Sequence, residues 1–272
     1  MRHTESAPRI AYDSRGTKGP RVLMVMGLGM RGAVWQPQID GLAENHQLAW
    51  LDNRGIGQSE VPSRPFHVRD LAQDVLRVAD ALGWGSFHLV GVSFGGMISQ
   101  EVALAAPSRV QSLTLIATHP GGPLGLAPTR SGFPKWLRSA VGPKRERPEY
   151  LAKLLYTESF LDAVDASVLE GRLRLQMESI PSTRTSLMQL LAVARHDTRK
   201  RLAEIVVPTL VIKPDRDELV RPFHSDRLHR GIPGARLVTI ADAGHGLTFQ
   251  HAERVNAAIA EHVAMHDRAS AP

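Results

Sequence analysis

The chain has 272 residues, 43% of them hydrophobic and 22% charged, and a formal net charge of +6. Its length exceeds one small domain and falls short of two full ones, so one domain carrying an insertion is expected. The absence of cysteine excludes disulfides, cysteine-ligated zinc and a thiol nucleophile. The positive charge does not form a nucleic-acid footprint, because Lys and Arg are scattered. Their local clusters, Lys144-Arg145 with Arg147 and Arg199-Lys200-Arg201, read as solvated helix ends or as a field that steers an anionic substrate.

Met1 to Pro20 has no apolar segment of the kind a secretory signal needs. Val22-Leu23-Met24-Val25-Met26 is a continuous apolar run, expected of a strand buried on both faces, and Gly27-Leu28-Gly29 ends it in a loop. Val22 to Met30 is too short to span a bilayer, so a cytoplasmic protein with no membrane span is expected. A second strand is predicted over Gln47–Leu51. A helix follows from His67 to Leu82, with Leu71, Val75, Val78, Ala79 and Leu82 on one stripe and Gly83 as its stop. Phe87–Val92 reads as a strand, Gly96–Ala106 as a helix stopped by Pro107, and Val110–Ala117 as a further strand. This alternation implies parallel pairing with right-handed crossovers.

From Thr118 to about Ala203 the alternation breaks. Gly and Pro cluster from Pro120 to Pro143, and helical stretches follow around Pro148–Tyr156, Asp165–Ile180 and Ser186–Arg195. Alternation resumes with a strand over Pro208–Lys213, a helix near His224–Arg230, a strand over Arg236–Ala241 and a last helix over Ala252–His266. Val255, Ala258, Ile259 and Val263 form the stripe of that helix. The expected organisation is an α/β core of residues 1–117 and 204–272 with a helical cap, 118–203, inserted after a central strand. The insertion leaves from a carboxyl edge of the sheet, where open α/β sheets bind ligands.

Gly91-Val92-Ser93-Phe94-Gly95 is a G-x-S-x-G pattern between a predicted strand and a predicted helix. That context is the one a nucleophile elbow requires: a sharp turn lifts the serine hydroxyl clear of the sheet, and the glycines remove clashing side chains. A serine hydroxyl needs a base, and the base needs an orienting acid. His245, in Ala243-Gly244-His245-Gly246, follows a strand and precedes the last helix. For the acid, the turn after the Pro208–Lys213 strand offers Asp215 and Asp217. Asp217 is favoured, with Asp215 as a rival for turn bonding and Asp242 as a weaker one. His224 and His229 on a helix, and His251, His262 and His266 at the surface, read as bystanders. Backbone N–H groups of Phe94 and Leu28 are the candidates for stabilising an oxyanion.

Along nearly its whole length the chain resembles the α/β-hydrolase superfamily. The resemblance rests on the elbow, on Asp52-Asn53-Arg54-Gly55-Ile56-Gly57-Gln58-Ser59, on the segment Pro208–Val220 and on Gly244-His245-Gly246. Among subgroups the chain is similar to small capped esterases and lactonases, such as the enol-lactonase and aclacinomycin methylesterase groups. It departs from many relatives in carrying Met26 where they have His before the oxyanion loop, and Lys213 where they have Gly. The resemblance implies a serine hydrolase with Ser93, Asp217 and His245 as catalytic residues, acting on a small-molecule ester or lactone without metal or cofactor. A C–C bond hydrolase of ring-cleavage products, or a non-catalytic binding protein on the same fold, are the alternatives. Met30 and, from the cap, Phe133, Trp136, Leu137, Leu155 and Tyr156 are candidates for the substrate pocket, as are Leu124, Leu126, Leu154 and Phe160. The cap residues serve equally well as packing between cap helices.

Overall fold

Strands that must bury both faces need apolar side chains at every position, and such runs build the centre of this fold. The computed structural model describes residues 1–267 apart from 123, 124, 126 and 180. In chain order it opens with β1 (Arg2–His3), β2 (Ala11–Arg15), β3 (Arg21–Val25), α1 (Gln36–Leu42), β4 (Gln47–Leu51), α2 (Val68–Ala81), β5 (Phe87–Val92), α3 (Phe94–Ala105) and β6 (Val110–Ile116). The helices α4 (Gly132–Val141), α5 (Arg147–Leu155), α6 (Glu158–Ala163), α7 (Ala166–Glu178) and α8 (Thr183–Arg195) then intervene. The chain closes with β7 (Thr209–Pro214), α9 (Phe223–Gly231), β8 (Arg236–Ile240), α10 (Leu247–Gln250) and α11 (Ala252–His266). No helix among the described residues is long and apolar enough to cross a membrane.

The eight strands form one sheet in the order β1-β2-β4-β3-β5-β6-β7-β8. The β1/β2 and β2/β4 pairs are antiparallel, and β4 through β8 are parallel. Alternation along each strand divides the core in two. Leu23, Val25 and Leu89 pack with α2 and α3 through Leu71, Val75, Phe94, Ile98 and Val102. Val22, Met24, Val90 and Val92 pack on the other face with Ile39 and Leu42 of α1 and with Val255, Ile259 and Val263 of α11. His262 belongs to that buried face of α11 at 1% exposure, with Nε2 3.3 Å from Pro208 O, and is not the surface residue expected from its position.

The segment Asp52–Ser59 is a structural clamp beside the loop that follows β3. Asp52 accepts hydrogen bonds from the Gly32 amide (2.7 Å) and the Gln58 amide (3.0 Å), and Asn53 Nδ2 donates to Met26 O at 3.1 Å. Burial pushes the Asp52 carboxyl up, against the pull of those amides. Arg54 forks onto Asp74 of α2 at 2.6 and 2.8 Å, and Arg77 bonds the same carboxylate. Asp74 is fully buried. Replacing it with alanine leaves the largely buried Arg54 without its counter-ion. Asp74→Ala should therefore lower the unfolding free energy by about 3–5 kcal/mol, measured by urea denaturation.

Candidate active site

The site is assembled from turns at the carboxyl edge of the sheet. Between β5 and α3, Ser93 adopts a positive φ, with φ 54° and ψ −120°. For a residue with a side chain that geometry is held only by its surroundings. The Ser93 amide donates to Ile116 O at 2.9 Å, and Thr118 Oγ1 donates to Ser93 O at 2.6 Å. The flanking glycines answer to close approach. A Cβ on Gly95 would lie 2.0 Å from Val25 O, and one on Gly91 would lie 2.4 Å from Gly95 O. The elbow therefore packs directly on the end of β3, beside the Gly27-Leu28-Gly29 loop.

Leu28, Ser93, Phe94 and His245 line one cavity of about 300 Å³. The Phe94 amide begins α3, so it has no acceptor within its own helix, and the positive end of the helix dipole adds to its pull on an anion. The neighbours of the Leu28 amide are engaged: Gly29 N–H donates to Gln189 Oε1 at 2.9 Å, and Met30 N–H to Gly27 O at 3.3 Å.

Behind the imidazole, Asp217 Oδ2 lies 2.7 Å from His245 Nδ1. Asp217 is 2% exposed, and its Oδ1 accepts from the amides of Leu219 and Val220, both at 2.8 Å. Asp215 has another task, as its Oδ1 accepts from the Ala243 amide at 3.1 Å and joins the acid loop to the histidine loop. Asp242 accepts from Ser159 Oγ and faces the helical segment instead of the imidazole. Lys213 also has a partner: its Nζ lies 2.8 Å from both carboxylate oxygens of Asp226 on α9.

The helices between β6 and β7 complete the walls. Of the expected pocket residues, Met30, Trp136 and Leu155 line the cavity, as does Leu154. Phe133, Leu137 and Tyr156 do not. Phe133 and Leu137, one helical turn apart on α4, are 51% and 43% exposed, and the face that bears Trp136 and Ser139 turns inward. Tyr156 is buried behind the histidine loop, stacked near Phe160 and Phe249, where a Cβ on Gly246 would strike its ring. Leu124 and Leu126 lie outside the described residues.

Several lining residues carry no motif that marks them in the sequence, among them Arg172, Gln176 and His119. Burial, with His224, His196 and His245 nearby, pushes the His119 imidazole down to about 3, so it is neutral at ordinary pH. Its Nδ1 accepts from the Gly121 amide at 3.0 Å, which places its hydrogen on Nε2. Among the described residues, no group of three or more His, Asp or Glu side chains is placed to hold a metal ion.

The arrangement has the chemical parts for acyl transfer: a hydroxyl on a strained turn, an imidazole in the same cavity, and a carboxylate fixing the far ring nitrogen. Residues 20–252 match the family described as the alpha/beta hydrolase fold. "Putative carbamate hydrolase RutD" of Azorhizobium caulinodans is 33% identical over 240 residues, covering 87% of this chain and 88% of that protein. A hydrolase from Pseudomonas aeruginosa PA01 superposes with a TM-score of 0.81 at 26% identity, over 96% of this chain and 97% of its own. The enol-lactonase from Burkholderia xenovorans LB400 superposes with a TM-score of 0.80 at 22% identity, over 94% of this chain and 96% of its own, and shares the fold.

Because the elbow touches β3 without a gap, Gly95→Ala should cost more than the roughly 1–3 kcal/mol of ordinary overpacking. Gly171→Ala on α7, whose added Cβ meets nothing within 4 Å, should instead stabilise by about 0.5–1 kcal/mol. Chemical denaturation of the two variants beside the wild type checks both signs.

Proposed function

We propose that this chain, which belongs to the α/β-hydrolase fold family, is a serine hydrolase that cleaves a carboxylic ester or lactone through an acyl-enzyme. The observation that carries the reading is the single cavity lined by Ser93 and His245, with Asp217 2.7 Å from the outer nitrogen of that imidazole.

In this reading His245 takes the Ser93 proton as Oγ attacks the substrate carbonyl. Asp217 holds the imidazole in the tautomer that leaves Nε2 free and stabilises its charged form. The amides of Leu28 and Phe94 receive the developing oxyanion. Collapse of the tetrahedral intermediate expels the alcohol oxygen, which leaves with the proton from His245. Water then gives a proton to His245 and attacks the acyl-enzyme, and the acid departs as Ser93 recovers its proton. Residues 118–203 serve as a cap on a core of 1–117 and 204–272, and the inward face of the cap selects the acyl group.

The relative named for carbamate hydrolysis favours one further substrate, because a carbamate presents the same acyl carbonyl to the nucleophile. The test is hydrolysis of 4-nitrophenyl esters from acetate to palmitate, with 4-nitrophenyl carbamate in the same panel. Wild type should turn over a short to medium ester, and Ser93→Ala should abolish turnover. Asp217→Asn should lower kcat roughly 10⁴-fold through the wrong imidazole tautomer. Wild-type turnover that persists in Ser93→Ala would remove the proposed nucleophile. Absence of turnover on every member would turn the reading toward C–C hydrolysis or a binding role.

A further inference from the structure

Arg172 of α7 is a buried arginine, 6% exposed, in the wall of the Ser93 cavity. Its Nη1 donates to Val34 O at 2.7 Å, and its guanidinium carbon lies 5.0 Å from the centre of the Phe249 ring. It forms no ion pair with a carboxylate among the described residues, and its Nε is buried without an acceptor. No Asp, Glu or Lys lines the cavity among the described residues, and His119 is neutral there. Both oxygens of Asp217 are engaged away from Arg172, one with His245 and the other with two backbone amides.

A single bond to one carbonyl does not call for a guanidinium, and a cation taken from water without a counter-ion is costly unless something completes it. The arm engaged with Val34 is Nη1, and the side formed by Nε and Nη2 has no acceptor among the described residues. Elsewhere in this chain that same side takes a carboxylate. Arg54 grips Asp74 through Nε at 2.6 Å and Nη2 at 2.8 Å, and Arg199 grips Asp197 through Nε at 2.9 Å and Nη2 at 2.7 Å. Two parallel N–H groups match the two oxygens of a carboxylate.

We infer that Arg172 is the specificity residue for a carboxylate on the substrate. The preferred ester or lactone then carries a second, free carboxylate beyond the scissile acyl group. This narrows the serine hydrolase reading and rests on it. The cavity, about 300 Å³, suits a compact hemiester or lactone acid. The formal charge of +6 favours the approach of such an anion.

The experiment compares 4-nitrophenyl hydrogen adipate with 4-nitrophenyl hexanoate, which differ by a carboxylate in place of a methyl group. Wild type should prefer the hemiadipate by roughly tenfold or more in kcat/KM, as a charge-assisted pair implies. Arg172→Met should remove that preference by lowering kcat/KM for the hemiadipate far more than for the hexanoate, and Arg172→Lys should restore part of it. The ratio of the two substrates in one preparation is insensitive to a fraction of misfolded protein. In parallel, free hexanoate should raise the thermal midpoint of the wild type, hexanamide should not, and Arg172→Met should lose the response. Equal preference for the two esters, unchanged in Arg172→Met, overturns the inference. If neither ester is hydrolysed, the hydrolase reading fails, and the hexanoate titration still decides whether Arg172 holds a carboxylate.

Discussion

The close contact between the Ser93 turn and the end of β3 is the constraint on which the rest of the site depends. A serine at positive φ does not persist by its own preference, and here it is enforced from both sides. Gly95 lets the first turn of α3 approach Val25 O, and Gly91 lets the last residues of β5 pass beneath it. The Ser93 amide and carbonyl are pinned by Ile116 O and Thr118. Because α3 begins at Phe94, the same turn sets the proposed nucleophile and the first helical amide in one stroke. The Asp52–Ser59 clamp then holds the neighbouring loop through Asn53 and Met26 O. It thereby fixes the other side of the expected oxyanion position.

A second layer of constraint comes from the helical segment between β6 and β7, which is tied by polar bonds to the loop after β3 and to the Asp217 and His245 loops. Gln189 of α8, fully buried, accepts from the Gly29 amide. Gln250 links the Gly244 amide to Thr157 and Asp242 O, and the Gly246 amide donates to Leu155 O at 2.7 Å. Thr129 donates to Glu218 O beside the acid turn. Buried bonds of this kind are expensive to leave unmade. The helical segment is therefore coupled to the loop after β3 and to the Asp217 and His245 turns, and a change in its seating is felt at all of them. This is the physical reason why a residue such as Arg172, remote in sequence from the elbow, belongs to the same cavity.

Much of this was legible in the sequence because apolar periodicity and turn chemistry speak directly of local structure. The runs Gln47–Leu51 and Phe87–Val92 read as strands and occupy those bounds, and the stripes on α2 and α11 face the core as their spacing implies. Other elements were hidden for identifiable reasons. β2, Ala-Tyr-Asp-Ser-Arg, lies toward an antiparallel edge and lacks a continuous apolar run. α4 carries Gly132 and Pro134 in its first turn, where a helix tolerates them but composition suggests a loop. The pocket was the least legible, because the face a helix turns inward is decided by tertiary packing. Trp136 faces the cavity while Phe133 and Leu137 do not, and Arg172 is buried while Arg174, two residues along α7, is 67% exposed in its side chain. In the sequence those two arginines look alike.

The central claim is that the Ser93 hydroxyl is an activated nucleophile. Its most direct measurement is the reaction of the protein with a fluorophosphonate, followed by intact mass and peptide mapping. The account predicts one adduct per chain, on the peptide that contains Ser93, with formation slowed severely in His245→Ala and absent in Ser93→Ala. A wild-type protein that stays unmodified, or that is labelled at another residue, would contradict it.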